Sequence, residues 1–217
     1  MPHALLVTIA LLAGAPPAET SAVVSGLQVW LDGTSTLDMR FRQSLVSRAL
    51  GTTGDERGRV YLERPGRLRW DYLEPDRKVA LLIGDRTELY LEDDRQFIRG
   101  RLSPEHGLFP RLLAGRDRLV DLFDATLTAA PAAAGNGSYR LKLTAKESPG
   151  AVTQVTLTLR PKTFSIEAAE ILDESGNETT YVFSDVRRNR KLRGETFAFE
   201  PPPGTEVIDE RASVPSP

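Results

Sequence analysis

Along residues 59 to 73 apolar and polar side chains alternate in two runs that meet at an Arg64-Pro65-Gly66 corner. Val60 and Leu62, then Leu68, Trp70 and Tyr72, fall on one face; Arg59, Glu63, Arg67, Arg69 and Asp71 fall on the other. A period of two marks half-buried strands. Proline lacks a ladder donor and glycine tolerates unusual dihedrals, so the pair predicts a hairpin corner with Arg64 at the lip of an apolar face.

The same alternation extends in both directions. Residues 37 to 45 predict a long strand with Leu37, Met39 and Phe41 on one face, and the Gly51-Thr52-Thr53-Gly54-Asp55 run predicts a turn. Short strands follow at 79–83, 88–91 and 96–99, separated by turns at Gly84-Asp85-Arg86 and Glu92-Asp93-Asp94. Close, regular spacing of this kind predicts an antiparallel meander. Later strands are predicted at 139–144, 152–159, 164–172, 179–186, 196–199 and 206–208, with a loop rich in Ala and Gly at 129–137.

Two segments break the pattern. Thr20 or Ser21 starts a predicted helix to about Leu31, with Val23, Val24, Leu27, Trp30 and Leu31 on one stripe. Between 103 and 126, Leu108, Phe109, Leu112, Leu113, Leu119, Val120, Leu122 and Phe123 recur at helical spacing, and Gly115 divides the stretch into two predicted helices. An amphipathic insertion in a meander needs an apolar surface to cover, and the concave face of the sheet is the candidate. The pattern therefore predicts a mainly β fold, a curved antiparallel sheet whose concave face is covered by helices. Its interior would be lined by Met39, Phe41, Val60, Leu62, Leu68, Trp70 and Tyr72 from the sheet and Leu108, Phe109 and Leu112 from the helices.

The 217 residues suffice for one domain, and a formal net charge of −2 supplies no field for nucleic acid. Residues 4 to 15 form an apolar run too short to span a bilayer and ending in small residues, the texture of an export signal. The expected organisation is a signal peptide over 1–18, one domain over 19–209 and a tail over 210–217. The sequence contains no cysteine, which excludes a lipidated cysteine, disulfides and thiolate chemistry. The protein would then be free in the periplasm.

Catalytic residue types are scarce. Of two histidines, His3 lies in the signal and His106 stands alone beside Glu105, so neither a zinc set nor a Ser-His pair is expected. Glu92-Asp93-Asp94 lacks the glycine and distant glutamate of a calcium loop and reads as a solvated hairpin tip. Gly135-Asn136-Gly137 precedes a strand rather than a helix and reads as a turn, not a phosphate loop. Paired carboxylates brought together by folding would leave an envelope hydrolase open as a third reading. No enzymatic activity, cofactor or metal is expected. The basic run from Arg187 to Arg193 reads as a solvated strand end, with an anionic lipid or an acidic partner as the alternative.

The run Arg64-Pro65-Gly66-Arg67-Leu68-Arg69-Trp70-Asp71-Tyr72, followed by Glu74-Pro75, resembles a signature of the periplasmic outer-membrane lipoprotein carrier proteins, the LolA family. The stretch from Phe197 to Asp209 resembles that family's closing motif. The resemblance implies an incomplete barrel closed by a helical lid. It implies acylated lipoproteins as cargo, received from an inner-membrane ABC-type lipoprotein-releasing transporter and passed to an outer-membrane receptor lipoprotein. Arg64 corresponds to the family arginine that bonds to the lid and supports transfer. A monomer is expected. The lid and residues 84–91 depart most from the family pattern, so a carrier or sensor of a free lipid or glycolipid is the alternative.

Overall fold

The computed structural model describes residues 17–49, 51–102, 110, 112–113, 117–131, 137–146 and 152–210. Helix α1, Pro17–Asp32, precedes a run of strands: β1 Thr36–Ser47, β2 Gly51–Glu63, β3 Arg67–Glu74, β4 Lys78–Ile83, β5 Arg86–Leu91 and β6 Gln96–Arg101. A short helix α2, Leu119–Leu122, leads directly into β7 Phe123–Ala129. Strands β8 Tyr139–Ala145, β9 Val152–Leu159, β10 Ile166–Asp173, β11 Glu178–Arg188 and β12 Glu206–Asp209 follow.

The twelve strands among the described residues share one sheet in the order β12-β6-β5-β4-β3-β2-β1-β11-β10-β9-β8-β7, with β12 and β7 at its edges. The barrel is therefore unclosed. Every described pairing is antiparallel except β12 on β6, where Val207 lies opposite Phe97 in parallel register. The long β1–β11 pairing brings the halves together, with Phe41 opposite Phe183 and Gln43 opposite Tyr181.

One apolar cluster fills the concave side. It joins Val23, Leu27, Trp30 and Leu31 of α1 to Met39, Phe41, Val60, Leu62 and Leu68, and to Leu141, Leu143, Val155, Leu157 and Phe183 across the sheet. Gly26 lets α1 approach closely, since a Cβ there would lie 2.5 Å from the Phe164 ring. The last turn of α1 holds no basic residue of its own. Its carbonyls are met from elsewhere: Arg188 donates to Trp30 O at 3.1 Å and to Thr34 Oγ1 at 2.7 Å, and Asn189 Nδ2 donates to Gly33 O at 2.9 Å. Cationic donors at the negative end of a helix stabilise it.

Several expectations are corrected. Residues 51–55 are not a turn but the start of β2, paired as Ser47 to Gly51 and Leu45 to Gly54, and a register shift at Leu45/Val46 passes over Thr53. The helical stretch ends at Leu122, because Phe123, Ala125 and Leu127 face inward at strand spacing while Asp124 and Thr126 face out. Positions 119, 123 and 127 satisfy a helical and a strand period alike, which hid β7. Helix α1 begins at Pro17 rather than Thr20, with proline's fixed φ suiting a first turn. Residues 196–199 form no strand: a 3-10 turn, Gly194–Phe197, stands there.

That turn belongs to a second apolar layer on the convex side, which strand alternation alone does not reveal. Leu81, Tyr90, Phe97 and Phe197 are buried there, and Phe199 packs on Tyr90 and Phe97 with ring centroids 5.1 and 5.9 Å apart. Arg69 Nη1 donates to Thr196 O and Ala198 O at 3.0 and 3.1 Å, so Arg69 and Asp71 lie beneath the C-terminal segment instead of facing open water.

Candidate functional site: the clasped lid over the concave face

Two backbone hydrogen bonds and a glycine fix the corner that carries Arg64. Arg64 N–H donates to Ser35 O at 2.8 Å, Gly84 N–H donates to Gly66 O at 2.8 Å, and Gly66 takes a φ of +78°, which glycine adopts without a Cβ penalty. From there the guanidinium reaches inward. Its Nη1 donates to Leu31 O of α1 at 2.7 Å, Nε to Leu113 O at 3.0 Å and Nη2 to Leu112 O at 3.2 Å. One planar fork thus ties the end of α1 to the helical segment carrying Leu112 and Leu113. Burial pulls the Arg64 pKa below the usual arginine value, and the Asp32 carboxylate opposes that shift.

The structure brings Met39, Phe41, Val60, Leu62, Leu68 and Leu112 into the concave cluster, with Trp70 and Tyr72 packed against it. Leu108 and Phe109 lie outside the described residues, as do His106 and the Ser103-Pro104-Glu105 start signal. Phe41 sits at the centre of an aromatic group, 4.7 Å from Trp70 and 5.0 Å from Tyr72 in edge contacts, and Trp70 lies 5.1 Å from Tyr181. Tyr181 and Phe183, on β11, were not among the expected lining residues. Their signal was the alternation within 179–186, which places them beside Phe41 only once β11 pairs with β1. Among the described residues, α1 and the Leu112–Leu113 segment pack against this apolar face, burying Phe41 and leaving Trp70, Tyr72 and Tyr181 partly buried.

At the sheet end away from Arg64 the concave face turns polar. Tyr72 donates its hydroxyl hydrogen to Gln43 Oε1 at 3.2 Å, Gln43 Nε2 donates to Glu56 Oε2 at 2.9 Å, and Glu56 is ion-paired with Lys78. The Lys78 ammonium stands 4.6 Å from the Tyr72 ring centroid. Burial pushes the Tyr181 phenol up to about 12, and it drives that of Tyr72 higher still. A phenol whose folded pKa exceeds its unfolded value contributes stability that is complete below about pH 10 and lost as pH rises toward 12. Stability measured by denaturant titration is therefore expected to fall across that window. In Tyr181→Phe the fall should be shallower; an identical slope would show that the phenol ionises freely in the folded protein.

The basic run divides. Arg188 and Asn189 hold the end of α1 from the surface, with Asn189 Oδ1 also accepting from Ser35 N–H at 2.8 Å. Arg187, Lys191 and Arg193 line an outer groove with Asp38, Arg59 and Tyr61. The run is solvent-exposed at every position but Leu192, as the sequence predicted, and a helix end without its own cations draws two of its residues onto the nearby carbonyls. Glu92-Asp93-Asp94 is a hairpin tip as expected. Among the described residues, no group of three or more His, Asp or Glu side chains is placed to hold a metal.

An unclosed antiparallel sheet with an apolar concave face, covered by helices that one arginine clasps, defines the class of helix-capped half-barrels. The outer membrane lipoprotein carrier protein family, LolA, matches residues 32–200, and the chain belongs to it. It is 30% identical over 198 residues to an outer-membrane lipoprotein carrier protein of Methylococcus capsulatus, covering 91% of this chain and 92% of that one. In fold it is similar to an uncharacterised conserved protein from Thermus thermophilus, with a TM-score of 0.56, 10% identity and coverage of 88% and 99% of the two chains. It is also similar to an outer membrane lipoprotein-sorting protein domain from Vibrio parahaemolyticus, with a TM-score of 0.52, 11% identity and coverage of 83% and 97%.

Proposed function

We propose that this protein carries the acyl chains of lipoproteins between its concave face and its lid, taking them through the periplasm from the inner to the outer membrane. The observation that carries the proposal is the Arg64 fork on Leu31, Leu112 and Leu113, a polar clasp at the edge of an otherwise apolar interface. Uncovering apolar surface costs about 25 cal/mol per Å². Each methylene of an acyl chain that replaces the lid returns about 0.8 kcal/mol. An acyl chain that takes the lid's place therefore offsets the cost of opening, and the clasp supplies the opposing drive toward the closed, empty state that release requires.

Such a carrier acts without catalysis or cofactor. Its cargo would arrive from an inner-membrane ABC-type transporter and leave to a receptor lipoprotein of the outer membrane, with the carrier a monomer throughout. No helix among the described residues is long and apolar enough to cross a membrane. The domain is proposed to span 19–209, behind a signal over 1–18.

The test is transfer. Protein incubated with inner-membrane vesicles bearing an acylated lipoprotein is expected to form a soluble complex and then deliver the lipoprotein to outer-membrane vesicles. Co-purification of a free lipid or glycolipid, with no lipoprotein released, would replace this reading with that of a lipid carrier.

A further inference from the structure

The geometry points to Gln28 as a second clasp of the lid, one that holds α2 as Arg64 holds the Leu112–Leu113 segment. This inference rests on the reading of these helices as a lid. Gln28 lies on α1 one turn before Asp32, and its side-chain amide uses both ends. Oε1 accepts the Leu119 N–H at 3.1 Å, and Nε2 donates to Asp32 Oδ1 at 2.7 Å. Leu119 opens α2 and is fully buried, so its N–H has no water to turn to. A buried donor left without a partner costs more than an ordinary hydrogen bond contributes.

The other end of α2 is held differently. Lys146 N–H donates to Leu122 O at 3.0 Å and Lys146 Nζ to Val120 O at 2.7 Å, fastening the C-terminal end of α2 to the start of the β8–β9 connection. Leu122 runs without a break into Phe123 of β7, opposite Ala145 of β8. That end is continuous with the sheet and cannot leave it without breaking the ladder. Among the described residues, the Leu119 end is held to α1 through the Gln28 side-chain amide, and four residues of helix have no stability of their own. α2 therefore has a hinge at Leu122 and a clasp at Leu119, and it opens from the Gln28 end.

The two clasps meet at Asp32. Its carboxylate accepts from Gln28 and favours the charged form of Arg64, and Gln28, Leu31, Asp32, Arg64 and Leu112 border the same cleft of about 270 Å³ at the lid seam. Both lid pieces are thus fastened to the last two turns of α1. An event that displaces those turns frees both at once. Gln28 is a positioning residue, since it acts on cargo only through the lid.

The experiment is amide hydrogen exchange, followed by NMR, on the cargo-free protein and on Gln28→Met, which keeps the side chain's length and removes its polar atoms. The Leu119 amide is expected to exchange roughly 5- to 150-fold faster in the variant, the effect of leaving a buried N–H without its partner. The amides of Leu141 and Leu157, within the β8–β9 ladder, should be unchanged. An unaltered Leu119 rate, or an equal rise at Leu141 and Leu157, would overturn the clasp. Exchange is read without cargo, so failure of the transfer assay would remove the carrier reading and leave this result standing.

Discussion

Arg64→Leu is expected to slow delivery of lipoprotein to acceptor membranes by about 30- to 1,000-fold while loading remains intact. The guanidinium makes three hydrogen bonds, to Leu31, Leu112 and Leu113, all of which close the lid. Charge-assisted bonds of this kind contribute about 1.5–3 kcal/mol each, and water entering the cleft would replace part of that in the variant. A net loss of about 2–4 kcal/mol from the closed state is the consequence, equal to the stated fold-change in the closed-to-open ratio. Because the variant's empty state no longer competes with the loaded one, cargo stays bound.

The fold itself should tolerate the change. Leu31 and Leu112, two of the three acceptors, border a cleft lined by Asp32, Asp117, Arg118 and Asp121, where water can satisfy their carbonyls. Arg64→Lys, with one compact ammonium in place of a fork, should fall between wild type and leucine. The measurement is the rate of transfer from purified complex, with thermal unfolding of the empty protein alongside. Delivery at the wild-type rate would refute the clasp, and collapse of the melting temperature would make Arg64 a structural residue.

Gly58→Ala is expected to be the most destabilising single-methyl addition among the described glycines, by about 3 kcal/mol, lowering the melting temperature by about 6–12 °C. Gly58 lies opposite Tyr72 where the β2–β3 register shifts, and a Cβ there would stand 2.0 Å from Asp71 O and 2.7 Å from the Phe41 ring. Neither neighbour can give way. Asp71 O belongs to the β3 backbone, and Phe41 is wedged between Trp70 and Tyr72. The strands must part at the centre of the concave face. Gly194→Ala is the control: nothing lies within 4 Å of its would-be Cβ, and a change below about 0.5 kcal/mol is expected. If both variants melt alike, the close approach at Gly58 is not what limits β2 and β3.

Much of the half-barrel was legible because strands with one buried face must alternate. Met39 and Phe41, Val60 and Leu62, and Leu68, Trp70 and Tyr72 are assigned to one face by their alternation alone, and they share it. Arg64 was placed at the lip of that face by the Pro-Gly corner, and its role was implied only by family resemblance. Its three acceptors are backbone carbonyls, which leave no mark on a sequence. Gln28 was invisible for the same reason: its partner is the N–H of Leu119, and a glutamine between two apolar helix positions reads as an ordinary solvent-facing residue.

What the sequence by itself determined is the period: where strands run, which side is apolar, and that the stretch after β6 breaks from the sheet. Those follow from local sterics and from the need to bury every second side chain. Only the tertiary structure decided what lay between elements distant in the chain. Pairing β1 with β11 brought Tyr181 and Phe183 onto Phe41, and Arg69 drew Thr196 and Ala198 out of a strand. The carbonyls at the end of α1 took their donors from Arg64, Arg188 and Asn189, because a helix end without cations of its own is satisfied by whatever the fold carries to it.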